Sequence, residues 1–257
     1  MKALRVGTAV VLALAAARPG QVEEASPLQV FAAASLTDVF KDVGAGFEAA
    51  HPGRRVAFNF AGTQVLRTQV EQGAEVDLFA SADLDHAEAL KRSGLVPTFE
   101  PFARNGLAVV TPATRPRVTT LADLARPGVR VVLASPTVPA GRYSAEVLSR
   151  LQASGAYGED FAARVEANVA SRETNVRLVL SKVALGEADA GIVYETDARA
   201  ARGKVKTIAL PATAQVIATY TIGVGAAARD PVTARAFVDF LRGPGGQAIL
   251  TRHGFLP

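Results

Sequence analysis

From residue 28 onward, short β-branched or aromatic runs alternate with stretches whose apolar residues recur at helical spacing, the pattern of α/β units built on mainly parallel sheets. Residues 28–33 read as a first strand. Leu36, Val39, Phe40, Val43 and Phe47 then fall on one helical face, and after Gly53 the alternation Val56, Phe58, Phe60 marks a half-buried strand. A helix over 65–72 stops at Gly73, a strand follows over 76–80, and Leu84, Ala87 and Leu90 mark a further helix stopped by Gly94.

A second set of units begins at 107–110 and continues with a strand over 129–134 and a helix carrying Tyr143, Val147, Leu148 and Leu151. Residues 178–186 read as helix, 190–194 as a buried strand, 205–210 as another, and 219–224 as a strand leading to a last pair of helices. In those, Ala234, Phe237, Val238 and Leu241 form a packing face. No low-complexity linker or internal repeat separates the two sets, so two lobes would be joined by strands and short crossings, near 104–107 and 220–224.

The N-terminus departs from this pattern. Lys2 and Arg5 precede an uninterrupted small apolar run over 6–16, and Ala15-Ala16-Ala17 fits a small-x-small cleavage signal. A secretory signal peptide and short leader are expected over 1–26, the run being too short to span a bilayer. Nothing in the sequence supplies a cysteine, which removes disulfides, thiolate catalysis, cysteine-ligated metals and a lipobox anchor. A soluble exported protein, in the periplasm, is the expectation. The formal charge of +4 includes Lys2 and Arg5 of the signal segment, and the remaining Lys and Arg are interspersed with Asp and Glu. Nucleic acid is therefore not an expected partner, because no basic stripe with interleaved aromatics exists.

Several strand-to-helix turns carry chemistry. Ser35 to Asp38 has capping-box spacing, with Asp in place of the usual Glu, and reads either as a structural cap or as part of an anion site. Comparable turns occur at Ala61-Gly62-Thr63-Gln64, at Val138-Pro139-Ala140-Gly141 and at Glu173-Thr174-Asn175-Val176-Arg177. Each alone is an ordinary helix start. Together, helix N-termini converging on one cleft would hold an oxyanion through neutral N–H donors and the positive ends of helix dipoles.

The strings Phe31-Ala32-Ala33-Ala34-Ser35-Leu36-Thr37, Val76-Asp77-Leu78-Phe79-Ala80-Ser81-Ala82-Asp83, Val138-Pro139-Ala140-Gly141, Asn175-Val176-Arg177 and Gly191-Ile192-Val193-Tyr194, in this order, resemble the periplasmic molybdate-binding proteins of ABC transporters. That resemblance spans nearly the whole chain after the leader. It implies a bilobal α/β fold with a ligand cleft between two mainly parallel sheets, one lobe from 27–105 plus 225–257 and the other from 106–224. It implies further that a tetrahedral oxyanion is held by the hydroxyls of Ser35, Thr63 and Tyr194 and the backbone N–H groups of Ala140 and Val176. The oxygens of molybdate or tungstate are what these residues would touch, so no direct metal ligand and no cofactor is expected. A transmembrane permease is the expected partner, and the protein itself is expected to be a monomer. Gly62-Thr63-Gln64 departs from the serines common in the family, which leaves the role of Gln64 open, and Glu195 beside Tyr194 is expected to face solvent because a carboxylate would repel a dianion.

Two alternatives remain from the sequence: a binding protein for sulfate or another tetrahedral oxyanion, and an exported bilobal enzyme acting on a small anion. Against catalysis stand the absence of G-x-S-x-G, Walker A, Rossmann and H-E-x-x-H patterns and the apparently superficial settings of His51, His86 and His253. The carboxylates Asp77, Asp83, Glu187, Asp189 and Asp197 read as helix starts and turns rather than as an acid/base pair.

Overall fold

A computed structural model of the protein describes residues 26–257, so the expected leader lies, apart from Ser26, outside the described residues. The first unit opens with β1 (Leu28–Ala33), a short 3-10 turn (Ala34–Leu36) and α1 (Thr37–Ala50). It continues with β2 (Val56–Ala61), α2 (Thr63–Glu71), β3 (Leu78–Ser81), α3 (Leu84–Arg92) and β4 (Glu100–Asn105). The second unit holds β5 (Leu107–Pro112), β6 (Val131–Ala134), α4 (Pro139–Ala153), α5 (Phe161–Ala167), β7 (Val169–Glu173), α6 (Val176–Ala184), β8 (Ala190–Tyr194), α7 (Glu195–Ala200) and β9 (Val205–Ile208). The chain then returns to the first unit through β10 (Ala218–Val224), α8 (Pro231–Arg242) and α9 (Pro244–His253).

The strands form two five-stranded sheets, β2-β1-β3-β10-β4 and β7-β6-β8-β5-β9. In each sheet four strands run the same way and one, β10 or β5, runs against both neighbours. Parallel strands need a crossover helix, and here every crossover returns the chain to the same edge of its sheet. The C-terminal ends of β1, β2 and β3, and likewise of β6, β7 and β8, are therefore aligned.

The core follows the sequence pattern. On β1, Val30 and Ala32 face a cluster with Val39, Phe40, Val43 and Phe47 of α1 and Phe237 and Leu241 of α8. Phe31, on the opposite face, packs with Leu66, Val70, Phe79 and Leu90 under α2 and α3. This interior strand is thus buried on both sides, as its apolar run from Val30 to Ala33 requires. Phe40, Phe47 and Phe237 meet at 5.2 to 6.3 Å between ring centroids, within the range of edge-on aromatic packing.

Three readings of the sequence are corrected. Residues 220–224 are not a crossing: β10 pairs with both β3 and β4, so the return to the first sheet precedes Ala218, while the outward crossing lies at Gly106, between β4 and β5. The strand over 205–210 is not buried throughout; β9 is an edge strand ending at Ile208, and Lys206 and Thr207 are exposed. The Ser35–Asp38 capping box does not form, since α1 starts at Thr37 without a side-chain cap.

Candidate functional site

Because parallel strands deliver their following helices to one edge, the two units present helix N-termini toward each other. The pocket between them is lined by Ala33, Ala34, Ser35, Gly62, Thr63 and Ala82 of the first unit and by Val138, Pro139, Ala140, Asn175, Val176 and Tyr194 of the second. All five residues singled out from the sequence, Ser35, Thr63, Ala140, Val176 and Tyr194, are brought together there, and each is at most 3% exposed. The cavity has a volume of about 10 Å³, room for one compact group and far too little for a sugar or peptide.

The donors are of two kinds. Thr63 and Val176 are the first residues of α2 and α6, and Ala140 is the second of α4. N–H groups in a helix's first turn have no carbonyl a turn earlier to bond, so these point out of the helix end. Pro139 at the start of α4 fits the same logic, having no N–H to leave unpaired. The second kind is hydroxyl. Ser35 Oγ lies 2.9 Å from Tyr220 Oη; Thr63 Oγ1 accepts a long contact from the Ala82 N–H at 3.4 Å, leaving its own proton free. Tyr194, closing β8, has its Oη buried with no hydrogen-bond partner among the described residues. A buried phenol without an acceptor is costly unless a ligand supplies one. Burial pushes the Tyr194 hydroxyl well above the usual tyrosine range, and the neighbouring Tyr220, Tyr143 and Asp83 add to the effect, so Tyr194 is a proton donor at every working pH.

Two glycines let the backbones approach. A Cβ on Gly141 would sit 2.0 Å from the Ser135 carbonyl oxygen, and one on Gly62 would sit 2.3 Å from the Thr174 carbonyl oxygen across the cleft. Gln64, whose part the sequence left open, donates from Nε2 to that same Thr174 oxygen at 2.7 Å and does not line the pocket. Glu195 is exposed, and its Oε1 accepts from Gln215 Nε2 at 3.1 Å.

Charged groups frame the pocket without entering it. On one flank Arg142 of α4 reaches across to Asp83 at 2.8 Å and also to Asp85. His86 is buried there, not superficial as its sequence setting suggested: its Nε2 meets the Thr137 carbonyl at 3.1 Å, and its Nδ1 meets Arg67 at 3.2 Å. A neutral ring with the proton on Nε2 satisfies both contacts. On the other flank Arg177 bridges Asp38 of α1 at 2.6 Å and Asp197 of α7 at 2.7 Å. The contact with Asp197 is close but off-axis, leaving both oxygens of that fully buried carboxylate without an aligned donor. Desolvation consequently lifts Asp197 to about 6 despite the neighbouring guanidinium.

No acid/base pair emerges from the remaining carboxylates. Asp77 accepts from the N–H groups of Gln29 and Arg229, each at 2.7 Å, Asp189 accepts from the Arg130 N–H at 2.8 Å, and Asp83 caps α3. Sequence reasoning missed Tyr220, Asn105, Arg142 and Arg177 as parts of this neighbourhood. Only the placement of Arg177 directly after Val176 carried a signal.

The profile of the bacterial extracellular solute-binding protein family matches residues 28–256. The molybdate-binding protein ModA of Mycobacterium bovis is 38% identical over 240 residues, covering 92% of this chain and 87% of the relative. ModA of Escherichia coli K12 is 34% identical over 239 residues, covering 89% and 88%. Among solved structures, the periplasmic molybdate-binding protein of Azotobacter vinelandii superposes with a TM-score of 0.77 at 22% identity, over 90% of this chain and 99% of that one.

Proposed function

The chain belongs to the bacterial extracellular solute-binding protein family, alongside its molybdate-binding members, and from that premise we propose that it captures molybdate for import by an ABC transporter. One observation carries the reading: Tyr194, whose fully buried hydroxyl has no hydrogen-bond partner among the described residues, lines a cavity together with the first-turn residues of α2, α4 and α6. A ligand that only accepts hydrogen bonds, and offers several oxygens in a compact volume, satisfies every one of these groups. Ser35 and Thr63 bind it from one unit, and Ala140, Val176 and Tyr194 from the other, so the ligand joins two lobes that would otherwise part. The closed form is what a membrane permease would recognise, the protein acting as an extracytoplasmic monomer that returns its ligand unchanged and uses no cofactor.

Tungstate, of the same shape and charge, belongs to the same reading. Sulfate, with shorter bonds to its oxygens, would leave some donors out of reach, and hydrogen phosphate brings a proton for which a donor-only site has no acceptor. Titration calorimetry of the anion-free protein tests this directly. Tight binding of molybdate and tungstate with sulfate far weaker is the expected result. Sulfate binding best would reassign the ligand, and heat from none of the three would overturn the proposal.

A further inference from the structure

Behind the pocket lies a hydroxyl that does not line it. Tyr220 is the third residue of β10, fully buried, with Phe102, Phe255 and Tyr194 packed around its ring at 5.5 to 6.2 Å. Its Oη is 2.9 Å from Ser35 Oγ, which is itself 3% exposed and lines the pocket. Between two hydroxyls at that distance one proton lies on the line joining them, and either oxygen can own it. If Ser35 donated to Tyr220, Ser35 would turn its lone pairs to the pocket and act there as an acceptor. If Tyr220 donates, Ser35 has its acceptor role filled from behind, and its own proton is left to point at the ligand.

We propose that Tyr220 is a positioning residue that fixes the direction of this hydrogen bond, making Ser35 a donor in the pocket and thereby setting the site's selectivity for oxyanions that carry no proton. The inference rests on the oxyanion reading of the site. Two features favour this direction. Burial holds the Tyr220 hydroxyl far above the ordinary tyrosine range, so it always has a proton to give. Among the described residues Ser35 Oγ has no other hydrogen bond, so the Tyr220 proton occupies the acceptor capacity that a protonated ligand would seek.

The side chains of Asn105 and Tyr194 also lie close to this hydroxyl, but Ser35 is its one partner at full hydrogen-bonding geometry among the described residues. The ring packs between Phe102 of β4, Tyr194 of β8 and Phe255 just after α9, contacts that phenylalanine keeps. Tyr220→Phe therefore removes the proton director while keeping the packing. In that variant Ser35 is free to turn its lone pairs toward the pocket.

The experiment measures Kd for molybdate, sulfate and hydrogen phosphate with wild type, Tyr220→Phe, Ser35→Ala and the double variant, each stripped of anion and checked for an unchanged thermal midpoint with and without ligand. Molybdate is expected to weaken about tenfold in Tyr220→Phe, on the scale of one hydrogen bond to a charged group. The affinity of hydrogen phosphate relative to sulfate, two anions of similar size differing by a proton, is expected to rise several-fold in the same variant. In the Ser35→Ala background, adding Tyr220→Phe should change molybdate binding by less than twofold, because Tyr220 acts only through Ser35. An unchanged phosphate-to-sulfate ratio, or full additivity of the two substitutions, would overturn the assignment. Failure of the wild type to bind molybdate at all would instead overturn the reading of the site on which it rests.

Discussion

Substituting Gly62 by alanine should act as a wedge in the cleft. The added Cβ would lie 2.3 Å from the carbonyl oxygen of Thr174, which belongs to the turn between β7 and α6 on the opposite unit, and 2.6 Å from the Gln64 amide. Gln64 is a flexible side chain and can swing aside; the carbonyl is backbone and cannot. Restoring an ordinary contact of 3.4 Å requires the units to part locally by about 1 Å. A hydrogen bond across the cleft of about 2.9 Å would then exceed the 3.5 Å beyond which little of its energy remains. Losing one or two charge-assisted bonds to the anion costs about 2–4 kcal/mol, or roughly 30- to 1000-fold in Kd. Gly62 itself has φ −60° and ψ 139°, a conformation alanine adopts freely, so local strain does not compete with this explanation. Calorimetry should accordingly show the affinity loss, while the thermal midpoint of the anion-free protein stays within a degree or two of the parent. Undiminished affinity would mean that the closed arrangement of the two units is not the binding state, and a large drop in the anion-free midpoint would place the damage in the first unit instead.

Other perturbations separate the remaining roles. Ser35→Ala is expected to weaken molybdate by about 1–3 kcal/mol in the same titration, through loss of a charge-assisted donor, and unchanged binding would remove Ser35 from the site. Tyr194→Phe should move binding and stability in opposite directions: affinity falls by about tenfold or more, while the anion-free protein, relieved of a buried unpaired hydroxyl, melts about 2–4 °C higher. A lower midpoint for that variant would show that the hydroxyl has a partner in the free protein. Asp197 titrates at about 6 when folded against an ordinary 3.8, so the folded state binds the extra proton and this group's contribution to stability falls as pH rises between those values. Chemical unfolding of the wild type and of Asp197→Asn at pH 4 and pH 7 should differ by an amount of order 2–3 kcal/mol, the wild type being relatively more stable at the lower pH; equal pH dependence of the two would refute the assignment.

How much of this was legible in the sequence depends on how far apart the partners lie. The helix-start turns at Ser35, Thr63, Ala140 and Val176 were visible within a few residues, and the resemblance to molybdate-binding proteins picked out these residues together with Tyr194. The interior strands β1 and β8 were equally clear, since burial on both faces leaves apolar runs such as Val30 to Ala33 and Ala190 to Tyr194. Two of the four edge strands were not. β4, with Glu100, Arg104 and Asn105 among its residues, and β7, with Arg172 and Glu173, are half-exposed and carry too many polar groups to announce themselves. The capping box at Ser35 failed for a different reason: a tyrosine 185 residues away claims the serine hydroxyl, and no local spacing encodes that. His86 was misjudged likewise, because its burial comes from the Thr137 carbonyl across the cleft, 51 residues later.

The placement of charge explains why a site for an anion contains no cation. Arg142 and Arg177 stand on the two flanks of the pocket, and each is held by two carboxylates, Asp83 with Asp85 and Asp38 with Asp197. A free guanidinium inside the cavity would attract any small anion, chloride included, and would reward charge rather than shape. Fixed N–H and O–H donors reward only a ligand whose oxygens coincide with them, so discrimination is written in geometry. The flanking pairs do a second task. Each joins the first unit to the second, Arg142 through the fully buried Asp83 and Arg177 through the partly exposed Asp38. They fix the register in which the two units face each other. A lobe closure that was strongly favoured without ligand would trap an empty pocket, whereas one left near balance converts a few well-placed hydrogen bonds into a decisive shift between open and closed forms.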